Sequence, residues 1–123
     1  MSAANVASAS TPTFLKIPPH DEALSDVVIE NASKDDHYWM PLGPDVWARP
    51  VLFNVGQGSW VNIIKAKGTG VVSRHRHPAP VTGFTLEGAW YYPEHDWVAD
   101  AGTFIWEPPG EMHTLTVKES MRT

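Results

Sequence analysis

His75 and His77 lie two residues apart, and His113 follows thirty-six residues after His77. On a β-strand, side chains at i and i+2 leave the same face, so His75 and His77 should project together into one cavity. A third imidazole from a distant strand would close a three-nitrogen site on one side of a metal ion. Such a site leaves coordination positions open for water, oxygen or substrate, which is what metal catalysis requires. Imidazole serves iron, zinc, copper and nickel alike, so ligand type alone does not select the ion. The plainer alternative is an exposed His-x-His pair on a strand, with His113 an ordinary core residue. The chain has no cysteine, which excludes thiolate ligands and disulfides and leaves only nitrogen and oxygen donors.

Short strands must carry these histidines. Lys67-Gly68-Thr69-Gly70 is a turn that opens a strand over Val71 to His77. Further strands are expected at Thr82 to Leu86, Ala89 to Tyr92, Trp97 to Ala99, Thr103 to Trp106 and His113 to Val117. Upstream, Pro41, Pro44 and Pro50 punctuate the chain, with strand signals at Trp47 and at Val51 to Val55. Gly56-Gln57-Gly58 is a turn before the strand Ser59 to Ala66. Turn signals at intervals of about 8–12 residues mark a sandwich or barrel. The fold class expected is all-β and jelly-roll-like.

The glycines and prolines around the histidines carry a resemblance. Gly70, His75-x-His77 and Gly88 resemble the first cupin motif. Gly102, five residues, Pro108-x-Gly110, two residues and His113 resemble the second in every spacing. Two departures accompany the match. The first motif usually carries a glutamate ligand four residues after its second histidine, where this chain has Val81. The asparagine often found four residues after the last histidine is Val117. A cupin without that glutamate resembles the three-histidine dioxygenases of the superfamily, which cleave carbon–carbon bonds in diketones and hydroxyketones. The wording HRHPAPVTGFTLEGAWYYPEHDWVADAGTFIWEPPGEMHTL is similar to the dioxygenases of 2,4'-dihydroxyacetophenone, and the ChrR-type cupins, zinc-binding anti-sigma factors, share part of it.

The resemblance implies a cupin jelly-roll barrel with His75, His77 and His113 as metal ligands. It implies Fe(II) as cofactor, with zinc able to substitute, and O2 and an aromatic α-hydroxyketone as reactants. A homo-oligomer is expected from the family and from an open sheet edge. The alternatives are a non-catalytic zinc-binding cupin that senses or binds, and a shortened cupin that is inactive. The shortening is suggested by the ten residues that follow His113, where cupin barrels continue with further strands.

At 123 residues the chain fits one domain, expected over residues 14–123, after a flexible tail at 1–13. Paired prolines make Phe14 to Pro19 extended, and Asp21 to Ala32 could hold a short helical turn. The tail lacks the basic start and apolar middle of a signal peptide, and no apolar run reaches the roughly eighteen residues of a membrane helix. A net charge of −5 argues against nucleic acid. A cytoplasmic location is expected.

Glu87, Glu94, Asp96, Glu107 and Glu111 lie near the motifs, and any could supply an oxygen ligand or orient a histidine. Glu94 is preferred as fourth ligand or outer partner because it lies between the motifs. Glu87, at a turn, and Glu111, beside the Pro-Gly corner, read as solvated. Arg74 and Arg76 alternate with the histidines and should face away from the cavity. His95, beside Glu94, reads as a loop histidine, and His20 and His37, with no motif around them, as structural or exposed. The six tryptophans are expected chiefly to fill the barrel, with at least one lining a pocket for a planar ligand.

Overall fold

The structure is a computed structural model that describes residues 25–123. The expected tail at 1–13, the extended Phe14–Pro19 stretch and His20 lie outside the described residues. At the end of the segment expected to hold a helical turn, Lys34 N–H and Asp35 N–H both donate to the Asn31 carbonyl at 2.9 Å. No helix among the described residues is long and apolar enough to cross a membrane.

Among the described residues nine strands follow: β1 (Met40–Gly43), β2 (Val46–Asn54), β3 (Ser59–Ala66), β4 (Gly70–Arg76), β5 (Val81–Phe84), β6 (Glu87–Tyr91), β7 (Val98–Asp100), β8 (Phe104–Glu107) and β9 (Met112–Arg122). The larger sheet runs β1-β2-β3-β9-β6-β7, with β4 also paired to β9, and β5 and β8 form a separate pair. Every pairing is antiparallel. All-β architecture is therefore as the sequence reads.

Two differences have local causes. The separate strand signals at Trp47 and Val51–Val55 fuse into β2, which passes through Pro50 with a register shift between Pro50 and Leu52. Proline lacks an N–H, but β1 pairs β2 only at Val46–Ala48, so beyond that point no ladder bond is lost on that side. β1 itself, with no buried residue and containing Pro41, carries too weak a pattern to be anticipated. The second difference is β9. It extends past Val117 to Arg122, and Thr123 then exchanges both backbone hydrogen bonds with Ile64, at 2.8 and 2.9 Å. β9 is no edge: β6 lines one side, and β4 and β3 line the other in succession.

Val46, Ala66, Trp90, Tyr92, Ala99, Val117 and Met121 form the buried core, with Ile64, Val72, Trp97, Ile105 and Leu115 packed against it. Trp90, Tyr92 and Trp97 meet edge to face, with ring centroids 5.2–5.7 Å apart. The buried Trp90 indole N–H donates to Thr85 Oγ1 at 3.0 Å, so its one polar atom is satisfied.

Core filling by tryptophan is only partly correct. Trp60 and Trp106, on β3 and β8, are 63% and 59% exposed. Alternation explains Trp106, and the exposed end of β3 explains Trp60. On β8, Ile105 and Glu107 take the inward positions and Phe104 and Trp106 the outward ones, while on β3 Trp60 sits opposite Phe53, which is also exposed. Replacing Trp60 by serine should therefore lower unfolding stability by less than about 1 kcal/mol, the scale of one exposed cross-strand pair. Urea denaturation of the two proteins checks this.

Candidate metal centre

β4 and β9 bring the histidines together through register. His75 sits directly across the ladder from His113, and His77 follows just beyond the end of β4. Gly110, in the Pro108-Pro109-Gly110 corner, donates its N–H to the His77 carbonyl at 2.9 Å. The turn that delivers His113 thus also anchors His77. Arg74 and Arg76 are exposed, as their alternate positions require.

The three imidazoles offer one nitrogen each within 4.8 Å of one another, a group that could hold a metal ion. Their ring centroids are 4.7, 4.8 and 5.2 Å apart. His75 Nε2 and His77 Nε2 face each other at 3.1 Å. His75 Nδ1 is occupied on the other side by Ser73 Oγ at 2.9 Å. His113 is 2% exposed, and its Nε2 is buried without a hydrogen-bond partner among the described residues. A buried orphan nitrogen is costly, and of two facing Nε2 atoms at most one can donate to the other when both rings are neutral. One cation receiving all three lone pairs would relieve both conflicts, so the donor set fits a divalent first-row metal. Burial, and then the neighbouring His77, hold the His75 imidazole below its ordinary pKa, which keeps its lone pair available at neutral pH.

Tyr92 forms one wall of the centre. Its ring stacks on His113 with centroids 4.0 Å apart and planes 5° from parallel. Burial first, then hydrogen bonding to Glu107, pushes the Tyr92 phenol far above its usual range, so it stays protonated. Because Tyr92 also belongs to the hydrophobic core, the packed interior ends at the third histidine.

The carboxylates sort differently from the sequence-based preference. Glu94 accepts from Thr114 N–H at 3.0 Å and from Thr114 Oγ1 at 2.8 Å, and those bonds hold it below the usual carboxylate range. It is exposed and lies outside the three-histidine group. Glu87 pairs with Arg122 at 3.3 Å and Lys34 at 3.8 Å, and Glu111 pairs with His95 at 2.8 Å. His37 is turned to Asp35 at 2.7 Å. Glu107 is the buried one: it is 7% exposed, with Oε1 3.7 Å from His113 Nδ1. Strand alternation could have found it, since Glu107 shares the inward face of β8 with Ile105. One cleft of about 310 Å³ is lined by Trp47, Lys65, Glu87 and Arg122 among others, and by no histidine.

Residues 27–123 match the family model described as the ChrR cupin-like domain. No curated protein matches the chain. Among solved structures, an RmlC-like cupin protein from Ralstonia eutropha JMP134 superposes with a TM-score of 0.63 at 32% identity, covering 68% of this chain and 58% of its own. A protein of unknown function with a cupin-like fold, also from Ralstonia eutropha JMP134, gives 0.57 at 22% identity, covering 63% and 51%. KdgF from Halomonas sp. gives 0.58 at 17% identity, covering 70% and 82%, a likeness of fold alone. The chain spans a little over half the length of the two Ralstonia proteins.

Proposed function

The chain belongs to the ChrR cupin-like domain family, and on that premise we propose that it is a non-haem Fe(II) dioxygenase of an aromatic α-hydroxyketone. The substrate proposed is 2,4'-dihydroxyacetophenone, cleaved with O2 to 4-hydroxybenzoate and formate, both oxygen atoms entering the products. The observation that carries this is the neutral donor set: three imidazole nitrogens converge, and position 81 holds valine. Ferrous iron, when bound, supplies a Lewis acid for the substrate's carbonyl and hydroxyl oxygens and an electron source for dioxygen.

The protein's part is placement and exclusion. His113 is sealed behind Tyr92, whereas His75 and His77 are half-buried and define the approachable side. Neutral ligands leave the ion's charge uncompensated, which favours binding an oxygen-rich, ionisable substrate. The chemistry calls for no side-chain nucleophile. Homo-oligomer formation belongs to the same proposal, supported by the solvent-facing Phe84, Phe104 and Trp106 on the outer face of the β5–β8 pair.

Oxygen uptake by anaerobically Fe(II)-loaded protein, with formate assayed, tests the proposal. The expected result is one formate per O2 on adding 2,4'-dihydroxyacetophenone, and none with His113→Ala. A folded, iron-loaded sample that consumes no oxygen would reject the dioxygenase. The second reading, a zinc-binding cupin without catalysis, is favoured by the ChrR description of the family. It predicts tight zinc binding with no turnover.

A further inference from the structure

Glu107 is a buried acid for which the metal-centre geometry above has no direct use. It stands last on β8, immediately before Pro108-Pro109-Gly110, and alternation turns it inward. Its Oε1 is buried and has no hydrogen-bond partner among the described residues. A carboxylate held this way is expensive unless something nearby makes use of its charge.

The nearest imidazole nitrogen to that oxygen is His113 Nδ1, at 3.7 Å. The other nitrogen of the same ring, Nε2, is the second buried polar atom without a partner. The two orphans therefore lie at opposite ends of one chain of groups, Glu107 Oε1, the His113 ring, and the space where a cation would sit. His75 shows the same arrangement, with Ser73 Oγ on Nδ1 and Nε2 directed to the cluster. A neutral imidazole carries one N–H, and whichever group accepts that proton decides which nitrogen keeps its lone pair.

We propose that Glu107 is the positioning residue of this centre: it accepts the Nδ1–H of His113 and so fixes the tautomer that presents Nε2 to the metal ion. This rests on the metal-centre reading of the three histidines. At 3.7 Å the contact is longer than a hydrogen bond; a cation held by Nε2 would draw charge from the ring and make Nδ1–H a stronger donor toward Glu107. Glu107 is not itself a ligand. Its exposed-to-His113 oxygen lies on the Nδ1 side, and the three-nitrogen group forms without it.

Calorimetric titration of the full chain with Co(II), beside the Glu107→Gln and Glu107→Ala variants, tests the assignment. Both variants should bind Co(II) about 10–100-fold more weakly, the usual effect of losing such an outer partner. The metal-free Glu107→Gln protein should melt close to the parent, because the amide keeps the side chain's size and an oxygen able to accept from Tyr92. X-ray absorption of the Co(II) forms should give the same number and type of nearest donors in parent and Glu107→Gln. Equal Co(II) affinity in parent and both variants overturns the proposal alone. So does loss of one oxygen donor in Glu107→Gln, which would make Glu107 a ligand. Failure of the parent to bind Co(II) overturns the metal-centre reading and this proposal together.

Discussion

Gly88→Ala should yield no folded protein. Gly88 has φ +72°, a left-handed conformation in which a Cβ is strained. It lies where the β6–β9 register shifts between Glu87 and Ala89, a bulge that presses the strand onto its neighbour. A Cβ built there would overlap the Ser120 carbonyl oxygen and come within 2.8 Å of Met121 Cα. Those are backbone atoms of β9 and cannot rotate aside. Met121 is 2% exposed in the core, so moving it disturbs packing as well as pairing. The cost should exceed about 4–5 kcal/mol, comparable to the whole stability of an ordinary domain. Soluble yield and far-UV circular dichroism report the outcome. Gly58→Ala is the control: φ is +66° but nothing lies within 4 Å, so it should fold with a loss of only about 1–2 kcal/mol.

The second large effect is the dependence of stability on metal. An ion at one hundred times its dissociation constant stabilises the native state by about 2.7 kcal/mol, and for a chain of this size that raises Tm by roughly 10 °C. The parent should show this shift on adding Fe(II) anaerobically, or Zn(II), and chelation should reverse it. His113→Ala should abolish the shift. It should also lower the metal-free Tm, because truncating a nearly buried ring that stacks on Tyr92 leaves a cavity costing about 2–4 kcal/mol. His77→Ala separates the two effects. His77 is half-buried just past the end of β4, so its loss should remove the metal response with little change in metal-free stability. Differential scanning calorimetry with and without metal measures all three proteins.

The sequence carries most of this architecture for physical reasons. The strands around the histidines are short, rich in β-branched and aromatic residues, and bounded by glycine or proline, so their existence was legible along with the His-x-His pair. The convergence of His113 was legible through the motif spacing, but its register opposite His75 depends on tertiary pairing of β4 with β9. Glu94 and Glu107 mark the limit. Proximity along the chain favours Glu94, yet a neighbouring threonine on β9 holds its carboxylate at the surface. Glu107 looks like one of several acids until the inward face of β8 is assigned. The tryptophans fail similarly, since an apolar ring is driven inward only if its position points there: Trp106 alternates outward, and Trp60 lies at an end of β3 whose neighbours on both faces are exposed.

The central place of β9 has a consequence for the order of events during synthesis. His75 and His77 emerge from the ribosome well before His113, yet the strand that flanks β4, β3 and β6 is the last of the nine to be made. A nascent chain stopped before residue 112 holds two of the three clustered histidines and no sheet centre to seat them. Loop-closure entropy must then be met over long stretches of chain at once, between Gly70–Arg76 and Met112–Val117 and between Lys65–Ala66 and Met121–Arg122. Folding should accordingly wait for β9 and be slow for a domain of this size, and incorporation of metal should follow synthesis of β9 rather than precede it.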